Sequence, residues 1–159
     1  MNIPCFKITT TYTILNFFRI KLYAMKILLV EDDLVNAMIV KRASSELGIN
    51  HEITHVNNGQ EAIDYLLNPD NECPDLILLD LNMPIMNGME FLEFKSNHKE
   101  IAMIPTVVLT TSNTQQDITR CCKMNISGYM VKALDYNQFK KELGIIINYW
   151  SISTAPVYC

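Results

Sequence analysis

Four short stretches of the chain carry the residues that could do chemistry. Glu31-Asp32-Asp33 follows the run Lys26–Val30, Asp80 follows Leu76–Leu79, Thr110-Thr111-Ser112 follows Thr106–Leu109, and Lys132 follows Gly128–Val131. Each polar group stands directly after a short, mostly apolar run of the kind that forms a buried strand. If those strands share one sheet, several carboxylates, a hydroxyl and an ammonium converge at one edge. Clustered carboxylates repel and raise each other's pKa unless a cation neutralises them. A hard cation with oxygen ligands does so, and Mg²⁺ (or Mn²⁺) with few protein ligands and several waters suits a shallow site. The set suits a phosphoryl group carried on a carboxylate, stabilised by metal and Lys132 as charge develops. Taken singly, each residue has a plain structural reading: acids start helices, an Asp makes a turn, a Lys is solvated. Their joint placement at four strand ends is what speaks for a site.

The elements that must position these groups read as alternating strands and helices. After the first strand, Asp33 can cap a helix to about Leu47, with Leu34, Ala37, Met38, the stem of Lys41 and Leu47 near helical spacing, and Gly48 ends it. Residues 51–56 (HEITHV) are β-rich. Asn57-Asn58-Gly59 turns the chain into a short helix, Gln60 to Leu67, with Ala62, Ile63, Leu66 and Leu67 inward. Asn68 to Pro74 is a polar loop. Residues 75–79 are the clearest buried strand. Residues 89–97 are helical, with Met89, Leu92 and Phe94 partly apolar. Thr106 to Leu109 is a strand opened by Pro105, and Asn113 or Thr114 can cap a helix to about Met124. Ser127 to Val131 is a fifth strand. Asp135 caps a last helix with Phe139, Leu143, Ile146, Ile147 and Trp150 inward. Five strands alternating with five helices predict an α/β fold: a doubly wound five-stranded parallel sheet, flavodoxin-like, with helices on both faces.

Length and composition bound the rest. The chain has 159 residues, 49% hydrophobic and 19% charged, enough for one domain core and too apolar for disorder. Its net charge of −4 argues against a broad nucleic-acid surface, and no apolar run approaches the roughly 18 residues of a membrane helix. Five cysteines, with Cys121 and Cys122 adjacent, fit no zinc or disulfide framework and read as free thiols in the cytoplasm. Residues 1–24 contain no acidic residue. Asn16, Arg19 and Lys21 spoil a signal-peptide pattern there, which leaves an extension of uncertain order, an added surface element, or a translation start at Met25.

In order, ILLVEDD (27–33), NGQEA (58–62), PDLILLDLNMPIMNG (74–88), PTVVLTTS (105–112) and GYMVK (128–132) resemble a response-regulator receiver domain over about residues 25–150. Tyr149-Trp150-Ser151 and the longer loop at 68–74 are similar to single-domain regulators paired with phytochrome-type histidine kinases. The resemblance implies a stand-alone regulator, no enzyme, whose Asp80 accepts a phosphoryl group from a sensor histidine kinase. It implies Mg²⁺ or Mn²⁺ held by Glu31, Asp32, Asp80 and the Asn82 backbone carbonyl. An acidic pair of Asp32 and Asp33 is the other register, but Asp33 sits better as a helix cap. Thr110 and Tyr129 match the switch residues, Lys132 the lysine that pairs with the phosphoryl group, and Asn82 and Ser112 the positions that tune its lifetime.

One position departs from the family pattern. Ala133 stands where the family has proline after a cis peptide, so either contacts hold a cis bond or the loop is trans and Lys132 is aimed differently. That departure keeps open a degenerate receiver that only binds partners. A phosphohydrolase would want an acid at position 82, where Asn82 stands. The remaining 151–159 form a short tail with no room for a DNA-binding output. Signalling is then expected by protein contact, by a phosphorelay, or through a homodimer, without nucleic acid or membrane.

Overall fold

The computed structural model describes residues 24–48 and 51–153. The expected N-terminal extension up to residue 23 and most of the tail lie outside them, as do Cys5 and Cys159. Five strands, β1 (Lys26–Val30), β2 (Glu52–Val56), β3 (Leu76–Leu79), β4 (Thr106–Thr110) and β5 (Gly128–Val131), form one parallel sheet in the order β2-β1-β3-β4-β5. Between and after them run α1 (Leu34–Glu46), α2 (Gly59–Leu67), α3 (Gly88–Asn97), α4 (Gln115–Cys122) and α5 (Tyr136–Ile152). The order reverses beside β1, between β1 and β3, which places a ligand crevice at the carboxyl ends of those two strands.

Burial explains why these segments are strands. β3 and β4 are buried along their whole length, as is β1 after Lys26, while the edge strands β2 and β5 are largely half-exposed. The pleat alternates side chains between faces. Ile27 and Leu29 pack with Ala37, Val40, Phe139, Leu143 and Ile147 from α1 and α5. Leu28 and Val30 pack with Ala62, Ile63, Phe91, Leu92 and Cys121 from α2, α3 and α4. Full burial of each such aliphatic side chain is worth about 1.5–3 kcal/mol.

The helix starts are capped as their residue types require. Asp33 accepts from the amides of Val35 and Asn36, Asn58 from Glu61, Thr114 from Asp117 and Asp135 from Gln138. Asn87 and Glu90 make a reciprocal capping box at α3. The first helix is in a different phase from the expected one. Ala37, Val40, Ala43 and Ser44 face the sheet, whereas Leu34 and Met38 are 65% and 69% exposed. In α3 the buried residues include Phe91 and Lys95, and Met89 and Phe94 pack at the margin. The final helix, capped by Asp135 as expected, runs to Ile152. Cys121, buried, and Cys122, exposed, are free thiols.

Candidate functional site

The predicted carboxylates meet where the topology places the crevice. Glu31 and Asp80 leave the ends of β1 and β3, which pair in register up to Val30 and Leu79, so both acids start from the same level of the sheet. The Asp80 amide donates to the Val30 carbonyl at 2.9 Å and extends that pairing. Carboxylate oxygens of Glu31, Asp32 and Asp80 lie within 4.8 Å of one another. Glu31 and Asp80 are buried, and Asp32 is exposed at the rim. Asp33 is occupied as the α1 cap, so the acidic pair that faces Asp80 is Glu31 and Asp32.

Lys132 reaches the same place from β5. Its Nζ is 2.5 Å from Glu31 Oε2 and 3.7 Å from Asp80 Oδ1. The second separation is too long for a hydrogen bond, and Asp80 Oδ1 is a buried oxygen without a hydrogen-bond partner. Burial drives the Asp80 carboxyl above its ordinary pKa. Lys132 opposes that rise, Glu31 adds to it, and hydrogen bonds from the Leu81 amide and the Thr110 hydroxyl oppose it further. None of the described peptide bonds is cis, so the Lys132–Ala133 bond is trans. Of the two alternatives left by Ala133, the loop is trans, and the ammonium still stands at ion-pair distance from both acids.

Thr110, fully buried, ends β4 beside Asp80, and its Oγ1 accepts from the Ser112 amide at 3.2 Å. The Tyr129 hydroxyl donates to the Ser112 carbonyl at 3.0 Å. The Ser112 hydroxyl donates to Asp117 Oδ2 at 2.6 Å, which ties the loop after β4 to the first turn of α4. Asn82 is exposed and lines an open cavity of about 650 Å³ together with Asp32, Leu81, Asn87 and Arg120.

The loop after Asp80 is built by two backbone devices. Gly88 sits against it so closely that a Cβ would stand 2.3 Å from the Asp80 carbonyl oxygen. Ile85 has φ 68° inside a tight turn in which the Met86 amide donates to the Pro84 carbonyl at 2.8 Å. A β-branched residue there is strained by about 1–3 kcal/mol.

Three residues in contact with this cluster were absent from the sequence-based set. Asn36 Nδ2 donates to Glu31 Oε1 at 3.1 Å, the His55 ring meets the Glu31 carbonyl at 2.7 Å, and Asp117 holds Ser112. Asn36 was detectable in principle, one turn past the acids on a capped helix. His55 carried no signal beyond being polar in a β-rich run.

The donor set suits a hard divalent cation. Three carboxylates crowd together, one of them with a buried oxygen lacking a hydrogen-bond partner, and among the described residues no thiolate or imidazole nitrogen joins them as a ligand.

The response regulator receiver domain family matches residues 27–144. The probable methanogenesis regulatory protein FilR2 of Methanothrix harundinacea (strain 6Ac) is 35% identical over 127 residues, which are 78% of this chain and 82% of that protein. Response regulator Rcp1 of Synechocystis sp. is 30% identical over 128 residues, 78% of this chain and 87% of its own. Among solved structures, the phosphorylated cyanobacterial phytochrome response regulator RcpA aligns with a TM-score of 0.79 at 32% identity, over 85% of this chain and 100% of that one. The Mn²⁺-bound form of Rcp1 aligns with a TM-score of 0.77 at 30% identity, over 84% and 99%.

Proposed function

This chain belongs to the response-regulator receiver family, and from that premise we propose that it is a stand-alone regulator that takes a phosphoryl group onto Asp80 from a sensor histidine kinase. The observation that carries the reading is the buried, hydrogen-bond-free Oδ1 of Asp80, set among Glu31, Asp32, Thr110 and Lys132. An oxygen so placed is a nucleophile in search of an electrophile. Attack forms the Asp80 O–P bond, breaks the P–N bond of a phosphohistidine, and leaves the electron pair on the imidazole. Glu31, Asp32, Asp80 and the Asn82 backbone carbonyl would hold Mg²⁺ or Mn²⁺, which when bound would neutralise the acids and the oxygens of the incoming group.

The chain's own side chains do the rest. Lys132 leaves part of its pairing with Glu31 for a phosphoryl oxygen, and the Thr110 hydroxyl donates to another. Because the Ser112 amide rests on Thr110 and the Tyr129 hydroxyl on the Ser112 carbonyl, a shift at Thr110 is felt along β5 and α4. The surface of α4, β5 and α5 then changes its preference for an effector, a phosphorelay partner or a second copy, as a population shift between two packings. Asn82 and Ser112 tune how long the phosphoryl group survives. A kinase fits the face beside the pocket, where Leu34, Val35 and Met38 on the first turns of α1 leave apolar side chains exposed. The receiver unit spans 25–150, between the extension and the tail. The protein acts in the cytoplasm and without nucleic acid or membrane. No helix among the described residues is long and apolar enough to cross a membrane.

The test is phosphorylation of the full chain by a small phosphodonor with Mg²⁺, read by intact mass. The parent gains a phosphoryl group and Asp80→Asn does not. If the Asn variant is phosphorylated like the parent, the acceptor is elsewhere.

A further inference from the structure

Each polar atom of Glu31 has a partner. Its amide donates to the Val56 carbonyl at 3.0 Å, its carbonyl accepts from His55 Nε2 at 2.7 Å, and its carboxylate takes Asn36 Nδ2 on Oε1 and Lys132 Nζ on Oε2. Lys132 has its own part in the pocket. Asn36 and His55 come from α1 and β2, which supply none of the proposed cation ligands. A carbonyl oxygen only accepts, so His55 carries its proton on Nε2. The two contacts act on different degrees of freedom. Asn36 fixes the rotation of the Glu31 carboxylate. His55 fixes the plane of the peptide joining Glu31 to Asp32, and so the direction in which the exposed Asp32 leaves the strand end. The carboxylate keeps free lone pairs, since two donors fill only part of its acceptor capacity of about four.

We propose that Asn36 and His55 are positioning residues of the acidic pocket, which hold Glu31 and Asp32 in the orientation that receives a divalent cation. This rests on the pocket being a cation site. Ligand carboxylates pointed in advance bind a cation without reorganising, and loss of such outer partners typically costs about 10–100-fold in affinity. Positioning also separates two kinetic quantities. A misaimed acid raises the cation concentration needed, but a pocket saturated with cation retains its rate.

The experiment titrates the full-length protein with Mn²⁺ alone, reading free Mn²⁺ by electron paramagnetic resonance, for the parent, Asn36→Ala, His55→Ala, His55→Gln and Asp32→Asn. Both Ala variants are expected to bind Mn²⁺ about tenfold more weakly. His55→Gln, whose amide can donate to the same carbonyl, recovers most of that loss. With a small phosphodonor, the Ala variants need more Mn²⁺ for half-maximal phosphorylation and reach the parent's rate at saturation. Where His55→Ala fails to fold, His55→Leu keeps the bulk without the donor. Parent-like Mn²⁺ affinity in the Ala or Leu variants, or a rate deficit that saturating Mn²⁺ does not cure, overturns the proposal. Asp32→Asn separates the two levels: if it too binds like the parent, the cation site itself is misassigned, whereas loss there alone sinks only the positioning role.

Discussion

Lys95 should make the protein more stable as the pH rises from 7 to 10, and Lys95→Met should abolish that rise. The residue is 3% exposed near the end of α3, and its Nζ donates to the Ala102 carbonyl at 2.9 Å. Burial alone lowers its pKa from 10.5 to about 8. The folded chain therefore holds its proton less tightly than the unfolded chain, which binds more protons between those two values. Stability then rises with pH through that window. The penalty is fully present below about pH 8 and gone above about 10.5. The gap between about 8 and 10.5, at ~1.36 kcal/mol per tenfold change in proton affinity, makes burial of the ammonium cost about 3 kcal/mol at pH 7. Most of that returns by pH 10. Methionine fills the same space without a charge but leaves the Ala102 carbonyl without its donor, at a cost of about 1 kcal/mol. Lys95→Met should thus be more stable than the parent by about 2 kcal/mol at pH 7, and about equal to it at pH 10. Urea unfolding of both proteins across this range, followed by circular dichroism, gives the difference at each pH, in which the titration of other groups cancels. A difference that does not change with pH would refute the assignment of Lys95 as a buried, unpaired ammonium.

Two further substitutions probe the loop behind the acceptor. Gly88→Ala places a methyl group 2.3 Å from the Asp80 carbonyl oxygen and 2.8 Å from the Leu81 Cα. Both neighbours are backbone and cannot swing away, so it should cost about 3 kcal/mol in urea unfolding and slow phosphorylation by a small phosphodonor. Ile85→Gly relieves a β-branched residue at φ 68° whose side chain is 84% exposed and packs on little. It should stabilise the chain by up to about 1 kcal/mol, since glycine takes that conformation freely, and a lower urea midpoint would show that the turn is not strained.

The fold was legible because each buried strand announces itself as an apolar run and each helix begins on a residue that can cap it. Asp33, Asn58, Thr114 and Asp135 all cap as their side chains allow. The phase of α1 was not legible. LVNAMIVKRASSE spreads apolar side chains around the whole helix, so spacing alone selects no face. The true face is made of Ala37, Val40, Ala43 and Ser44, small enough to lie close on the sheet, and the larger Leu34, Val35 and Met38 are left to solvent beside the acidic pocket. Apolar residues that stay outside the core are the ones most readily misread as core, and here they sit on the helix that starts directly after the acidic pair.

The site divides in the same way. Glu31, Asp32, Asp80, Thr110 and Lys132 were legible because they end strands, and a parallel sheet brings strand ends together whatever the loops do. Asn36, His55 and Asp117 were not, because each acts on a neighbour's backbone or carboxylate, a relation that exists only once β2, α1 and α4 are packed. Ala133 marks the boundary between the two kinds of information. The sequence shows that the proline is missing, but whether Lys132 can still reach the acids depends on how β5 sits beside β4, and there its ammonium meets Glu31 across a trans peptide bond. The charge of a site is written at strand ends, and its aim is set by packing, so substitutions at the supporting residues should alter cation affinity before they alter the chemistry.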